Sequence, residues 1–169
     1  MFEAKVETKF KKDINAEIKK NLQDLANKKV VCGFPKGKLN APHYQFRHGR
    51  GLKENPNPPS IIDVAIWNNY GIGVPRRDFM TPSSKRWAEL CKEKVAEAGD
   101  DLLLGKINVK SFLLKLGGDG AEIIKEEIAK LDTPPNAPLT IALKGSENPL
   151  VDSGDMLNAT TYELREKNE

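Results

Sequence analysis

The residue types that most often carry covalent or metal chemistry are few in this chain and poorly spaced for it. The two histidines, His43 and His48, lie five residues apart in an aperiodic segment. Cys32 is distant in sequence, whereas zinc sites use closer, paired ligands. Ser153 lies in an Asp-Ser-Gly triplet and not in the Gly-x-Ser-x-Gly turn of many hydrolases. The sequence therefore predicts no catalytic, cofactor or metal site, and we expect the protein not to be an enzyme.

Positive charge is concentrated in one segment. The whole chain has a net charge of +3, but residues 36–59 alone contain five basic residues and one acidic residue. Tyr44 and Phe46 lie beside these charges, and such a mixture is typical of segments that contact phosphates and bases. A solvated loop and a charged subunit interface are the alternatives. The residues with a possible contact to DNA or to a neighbouring protein are Lys36, Lys38, Arg47, Arg50 and Lys53.

A second segment, residues 60–82, is the one around which we expect the chain to be organised. Ser60 and Asp63 have the spacing of a helix N-terminal cap, and Gly71 and Gly73 would end the helix. Between them Ile62, Ala65, Ile66 and Asn69 recur at helical spacing, which predicts that Ile62 and Ile66 point into a core.

An arm follows this helix, because Pro75 forces the chain to extend. Arginine and aromatic residues are enriched at interface hot spots, so the arm is a candidate docking segment. An ordinary surface with Phe79 in the core is the alternative for Arg76 and Arg77. The predicted subunit interface is Val74, Pro75, Arg76, Arg77, Phe79 and Met80.

Length and composition indicate one domain with a modest core. The chain has 169 residues, of which 38% are hydrophobic and 30% charged, and a single domain over 1–169 is expected. No stretch approaches the roughly 20 apolar residues of a membrane helix. Cys32 and Cys91 stand alone, and we interpret both as reduced, buried thiols of a cytoplasmic protein.

The hydrophobic pattern predicts an α+β fold, in which a small mixed or antiparallel sheet packs with three to four helices. Gly117 and Gly118 are interpreted as a stop between two helices. A long basic loop rich in glycine and proline is expected at 35–59, and a frayed tail at 165–169. The predicted strands are 2–7, 29–34 and 158–164, and the predicted helices are 8–27, about 81–99, 109–116 and 121–131.

Three segments of the chain resemble, in the same order, segments of the tail-completion or neck proteins of tailed bacteriophages. The first is Val30-Val31-Cys32-Gly33-Phe34-Pro35 with Lys36-Gly37, which is similar to an early strand of that family. The second, residues 65–80, resembles its Asn-Glu-Phe-Gly-Thr helix end and the arm Ile-Pro-Ala-Arg-Pro-Phe-Leu. The third, residues 137–158, is similar to its segment Ala-Pro-Ser-Thr-Ile, Lys-Gly and Pro-Leu-Ile-Asp-Thr-Gly. Here Asn69-Tyr70 replaces Glu-Phe, and Asp78 replaces a proline.

The resemblance implies a structural virion protein without enzyme activity or cofactor. Such a subunit forms a homo-oligomeric ring, with six- or twelve-fold symmetry possible, at the head–tail junction. Its neighbours would be head-closure and tail-terminator or tail tube proteins, DNA would pass through the lumen, and no membrane is involved. Assembly in the host cytoplasm and localisation in the virion neck are implied. A nucleic-acid-binding accessory domain that uses residues 36–59 is the alternative function.

Overall fold

A computed structural model describes residues 14–35 and 59–167 of the chain. The predicted strand at 2–7, the first part of the helix predicted at 8–27 and nearly all of the predicted long loop lie outside the described residues. The elements are α1 (Ile14–Asn27), β1 (Lys28–Gly33), α2 (Ile61–Tyr70), α3 (Met80–Leu103), α4 (Val109–Lys130), α5 (Pro138–Lys144), α6 (Asp155–Ala159) and β2 (Thr161–Glu166).

The predicted α+β class is confirmed, with six helices and an antiparallel pair of strands in the described residues. β1 pairs with β2 so that Lys28 lies opposite Glu166 and Gly33 opposite Thr161. The strand predicted at 158–164 begins later, because Asn158 and Ala159 complete α6. It also ends later, so that Arg165 and Glu166, which were assigned to a frayed tail, belong to β2.

The predicted helix stop at Gly117 and Gly118 is wrong, because α4 continues through both residues to Lys130. The glycines allow α4 to lie directly against the sheet. A Cβ atom on Gly117 would lie 2.5 Å from Cδ2 of Tyr162, and one on Gly120 would lie 2.7 Å from Sγ of Cys32. Packing against the two strands therefore holds the helix through residues that weaken it locally.

α3 and α4 form an antiparallel hairpin that carries the other elements at its two ends. At one end α2 and α6 pack over the second half of α4, and Phe79 fills the centre of this core with 1% of its surface exposed. At the other end α1 packs beside the last turn of α3, where Nδ2 of Asn21 donates hydrogen bonds to the carbonyls of Leu102 and Leu103. No helix in the described part of the chain has the length and apolar content needed to cross a membrane.

The core at the first end is assembled from short elements. Phe34 meets Phe79 edge to face, with their ring centroids 6.4 Å apart. The buried members of this cluster are Ile61, Ala65, Phe79, Ile124, Ile128, Leu150, Met156 and Ala159.

Candidate functional site

The end of α2 and the loop after it form an exposed apolar surface. Tyr70 is 67% exposed and Ile72 54%, and the other three members are 37–39% exposed. We call this set the α2 apolar surface: Ile66, Trp67, Tyr70, Ile72 and Val74. Exposed apolar side chains that are grouped on one element mark an interaction site more often than scattered ones do.

The helix that carries this surface begins at a capping box. The Ser60 hydroxyl accepts a hydrogen bond from the backbone N–H of Asp63 at 3.2 Å, and the Asp63 carboxylate accepts from the Ser60 backbone N–H at 3.1 Å. Because this cap makes Ile61 the first helical residue, the buried positions are Ile61, Ala65 and Asn69. Ala65 and Asn69 of the predicted inward face are therefore buried, but Ile61 is buried in place of the half-buried Ile62, and Ile66 faces solvent.

The loop after α2 is folded back tightly on the helix. Gly71 has a left-handed φ of +76°, and its N–H donates to the Trp67 carbonyl at 2.8 Å. A Cβ atom on Gly71 would lie 2.9 Å from Cβ of Arg76, so a side chain here would collide with the returning chain. The Arg77 N–H then donates to the Asn68 carbonyl at 2.7 Å. These contacts hold residues 71–76 in one conformation.

The Arg77 side chain fixes the returning loop to a distant segment of the chain. Its guanidinium donates to the carbonyls of Pro134 and Pro135 at 3.1 and 3.3 Å, to Oδ1 of Asn68 at 2.9 Å and to Oδ1 of Asn136 at 3.1 Å. Only 6% of its surface is exposed, and burial lowers the pKa of Arg77. An arginine nevertheless stays charged at neutral pH, and four acceptors compensate its burial.

Two asparagines orient this network. Nδ2 of Asn68 donates to the Val64 carbonyl at 2.9 Å, which leaves Oδ1 of Asn68 facing Arg77. Oδ1 of Asn69 accepts the backbone N–H of Met80 at 3.1 Å and so joins α2 to the start of α3. The exposed apolar side chains thus lie on a helix and loop that are held by buried and half-buried hydrogen bonds.

The six residues predicted as a subunit interface fall into two groups. Val74, Pro75 and Arg76 are exposed and lie on or beside the α2 apolar surface. Arg77 and Phe79 are buried within the chain. These two positions are core residues, which agrees with the alternative considered for Phe79. The half-buried Met80 side chain packs against the same core.

Arg76 makes a local ion pair. Its Nη2 lies 2.6 Å from Oδ2 of Asp78. Partial burial would raise the pKa of Asp78, but hydrogen bonds from Thr81 and Arg76 outweigh it and hold that pKa below its ordinary value. The pair is more than half exposed on the arginine side, so it adds little to stability.

The other predicted contact residues, Lys36, Lys38, Arg47, Arg50 and Lys53, lie outside the described residues, as do His43 and His48. Within residues 14–35 and 59–167, no three His, Cys, Asp or Glu side chains are grouped closely enough to hold a metal ion.

The two thiols are reduced in this structure but half-buried, and not fully buried as predicted. Burial, with a smaller contribution from nearby Cys91, raises the pKa of Cys32 to about 12. Burial also raises the pKa of Cys91, and the charge of Asp119 adds to this. Because the thiolate is the reactive form, both pKa shifts lower the reactivity of these thiols at neutral pH.

Sequence reasoning missed the exposure of Trp67, Tyr70 and Ile72. The sequence did contain a signal, because residues 61–72 place apolar side chains on every side of the helix, and no single buried face could include all of them.

Comparison of the chain with protein-family models, with curated proteins and with solved structures finds no match.

Proposed function

We propose that the chain is a structural virion protein of a tailed bacteriophage, a neck or tail-completion subunit that assembles into a ring at the head–tail junction. The proposal rests on one structural observation and on the three segments that resemble segments of that family in the same order along the chain. That observation is the α2 apolar surface, held on a rigid helix and loop. We assign it as the contact between subunits, with Pro75 and Arg76 at its margin.

The size of the surface supports this assignment. An aromatic side chain has roughly 150–250 Å² to bury. With Trp67, Tyr70 and the three aliphatic residues taken at their exposed fractions, the five residues together present apolar area on the order of 400 Å². A stable interface buries roughly 800 Å² per partner, somewhat more than half of it apolar. The α2 apolar surface is therefore close to the apolar core of one standard interface.

The rigidity of the loop after α2 also supports the assignment of the α2 apolar surface as the contact between subunits. A segment that is ordered before binding loses less conformational entropy when it binds. Gly71, Arg77 and Asn68 already hold the backbone beneath Tyr70 and Ile72, so these side chains can bind with little reorganisation.

Sedimentation velocity and negative-stain electron microscopy of the purified full chain test the proposal. We expect closed rings that dissociate on dilution toward the 18.8 kDa monomer. A chain that stays monomeric at roughly 100 μM, above the range of weak specific interfaces, would contradict it.

The alternative, a nucleic-acid-binding accessory domain, depends on basic residues outside the described ones. It predicts filter binding of duplex DNA whose affinity falls steeply between low and moderate salt. A monomer with that behaviour would favour the alternative, whereas a ring with weak DNA affinity favours the neck subunit.

A further inference from the structure

α5 carries the most exposed large apolar side chain in the described residues. Leu139 is 72% exposed, which exceeds even the 67% of Tyr70. The helix runs over Pro138–Lys144 and ends at Gly145, whose left-handed φ of +71° lets its N–H donate to the Ile141 carbonyl at 2.7 Å. A single exposed leucine is common on protein surfaces. Its importance therefore depends on where α5 lies relative to the α2 apolar surface.

The base of α5 is joined to the loop after α2. Residues 137–147 leave and return between two asparagines, since Nδ2 of Asn136 donates to the Asn148 carbonyl at 3.3 Å. Oδ1 of Asn136 accepts a hydrogen bond from the Arg77 guanidinium at 3.1 Å. The same guanidinium donates to Oδ1 of Asn68, near the end of α2. The segments that carry the two most exposed apolar side chains are therefore both joined to one buried arginine.

The separation of Tyr70 and Leu139 is no greater than the width of one interface. Tyr70 lies two residues after Asn68. Leu139 lies three residues after Asn136. An extended chain spans at most about 3.6 Å per residue, so these connections and the arginine between them place the two Cα atoms at most roughly 30 Å apart. An interface of roughly 800 Å² per partner is about 30 Å across. A neighbour that covers the α2 apolar surface over a standard area can therefore cover Leu139 as well.

We propose that Leu139 and the α2 apolar surface form one interaction surface, and that a neighbouring copy of this chain covers both. At its exposed fraction, Leu139 adds apolar area on the order of 100 Å² and raises the total to the order of 500 Å². The apolar part of a standard interface is roughly 450 Å² per partner. The combined area thus suits a folded partner, and a second copy is the one that the proposed ring supplies. This inference rests on that ring and names a second segment of its contact.

Substitutions of Leu139 test whether α5 belongs to the contact. Leu139→Lys places a charge on α5, and Val95→Lys is the control, because Val95 is 50% exposed in the middle of α3 and belongs to neither segment. We expect Leu139→Lys to weaken assembly at least about fivefold in sedimentation velocity, and Val95→Lys to assemble as the wild-type chain does. Leu139→Ala removes most of the side chain without adding charge and should weaken assembly in the same direction. Circular dichroism verifies that each variant is folded.

Hydroxyl-radical footprinting of the wild-type chain tests the same contact without any substitution. Hydroxyl radicals oxidise exposed aromatic and aliphatic side chains, and mass spectrometry locates the oxidised residues. The dilute monomer is compared with the assembled ring over a series of protein concentrations. We expect the oxidation of Trp67, Tyr70 and Leu139 to fall together over one range of concentration, because one neighbour covers all three. The oxidation of Val95 should stay unchanged.

Several results would overturn the combined surface while leaving the proposed ring intact. The first is a wild-type ring in which Leu139 is oxidised as readily as in the monomer. The second is normal assembly of both Leu139 variants. Protection of Leu139 and Tyr70 over different ranges of concentration would show two separate contacts, and equal impairment by Val95→Lys would show that added charge is the cause. A wild-type chain that never assembles overturns both the ring and the combined surface.

Discussion

Substituting Gly120 by alanine tests the close packing of α4 on the sheet. The new Cβ atom would lie 2.7 Å from Sγ of Cys32 and 2.8 Å from Cε2 and Nε1 of Trp87. Neither side chain can move away freely, because each makes a hydrogen bond. The Cys32 thiol donates to the Gly117 carbonyl at 3.4 Å, and the Trp87 indole N–H donates to the Leu116 carbonyl at 2.8 Å.

The expected magnitude is the difference between two effects. Overfilling a packed core costs about 1–3 kcal/mol, whereas replacing glycine by alanine inside a helix gains about 1 kcal/mol. Because the indole is a rigid ring held by a hydrogen bond, we expect the cost to exceed the gain. The free energy of unfolding of Gly120→Ala should therefore fall by up to about 2 kcal/mol.

Gly118→Ala is the matched control in the same helix. Its Cβ atom would meet Tyr162 no closer than 3.7 Å, an ordinary van der Waals distance. This variant should gain stability by about 1 kcal/mol from helix propensity alone. Urea unfolding followed by tryptophan fluorescence, at one fixed protein concentration, measures both variants. If Gly120→Ala were as stable as Gly118→Ala, the close contact between α4, β1 and α3 would be refuted.

Three further predictions concern the network beneath the α2 apolar surface, the helix cap at Ser60 and the half-buried thiol of Cys32. Arg77→Lys should lower the free energy of unfolding by about 2–4 kcal/mol, because one ammonium cannot reach four acceptors. The control Arg76→Lys, at an exposed position, should change the free energy of unfolding by less than about 0.5 kcal/mol. Equal effects of the two substitutions would contradict the buried position of Arg77. Ser60→Ala should cost about 1 kcal/mol through loss of the helix cap, and an unchanged urea midpoint would argue against that cap. Cys32 keeps its proton to about pH 12 in the folded chain but ordinarily loses it near 9.0, so its contribution to stability is complete below pH 9.0 and declines above it. Iodoacetamide at pH 8 should accordingly label Cys32 far more slowly in buffer than in urea, and equal labelling rates would contradict its burial.

The elements that sequence reasoning predicted correctly are those with an unambiguous local signal. β1 is a short β-branched run closed by Phe34-Pro35, and the cap at Ser60 places the start of α2 within one residue. The α+β class follows from such elements, because their periodicity is set by adjacent residues and needs no knowledge of partners.

The errors have a common physical origin, because each depended on a tertiary contact. Gly117 and Gly118 were interpreted as a helix stop because only propensity was considered, whereas the sheet against which they pack is formed by residues more than 40 positions away. Arg77 was likewise interpreted as a surface residue. Its acceptors at Pro134 and Asn136 are nearly 60 residues away, so the adjacent sequence does not indicate its burial. Burial of a charged residue cannot be predicted when its partners are remote in sequence.

Neighbouring residues in the segment from Tyr70 to Phe79 face opposite sides of the loop. Tyr70, Ile72 and Val74 face solvent, whereas Arg77 and Phe79 face the core. Substitution on the outer side should therefore alter assembly without altering the free energy of unfolding of the monomer. Substitution on the inner side should reduce monomer stability first and impair assembly as a consequence, since the loop that presents the outer residues would no longer be fixed.

Measuring both properties for each variant separates a contact residue from a supporting residue, which an assembly assay alone cannot do. For Tyr70→Lys we expect lost assembly with unchanged monomer stability. For Arg77→Lys we expect monomer stability and assembly to fall together, because the loop that presents the outer residues is no longer fixed. If Tyr70→Lys also lowered the free energy of unfolding of the monomer, the α2 apolar surface would have to be regarded as part of the fold and not as a site of contact.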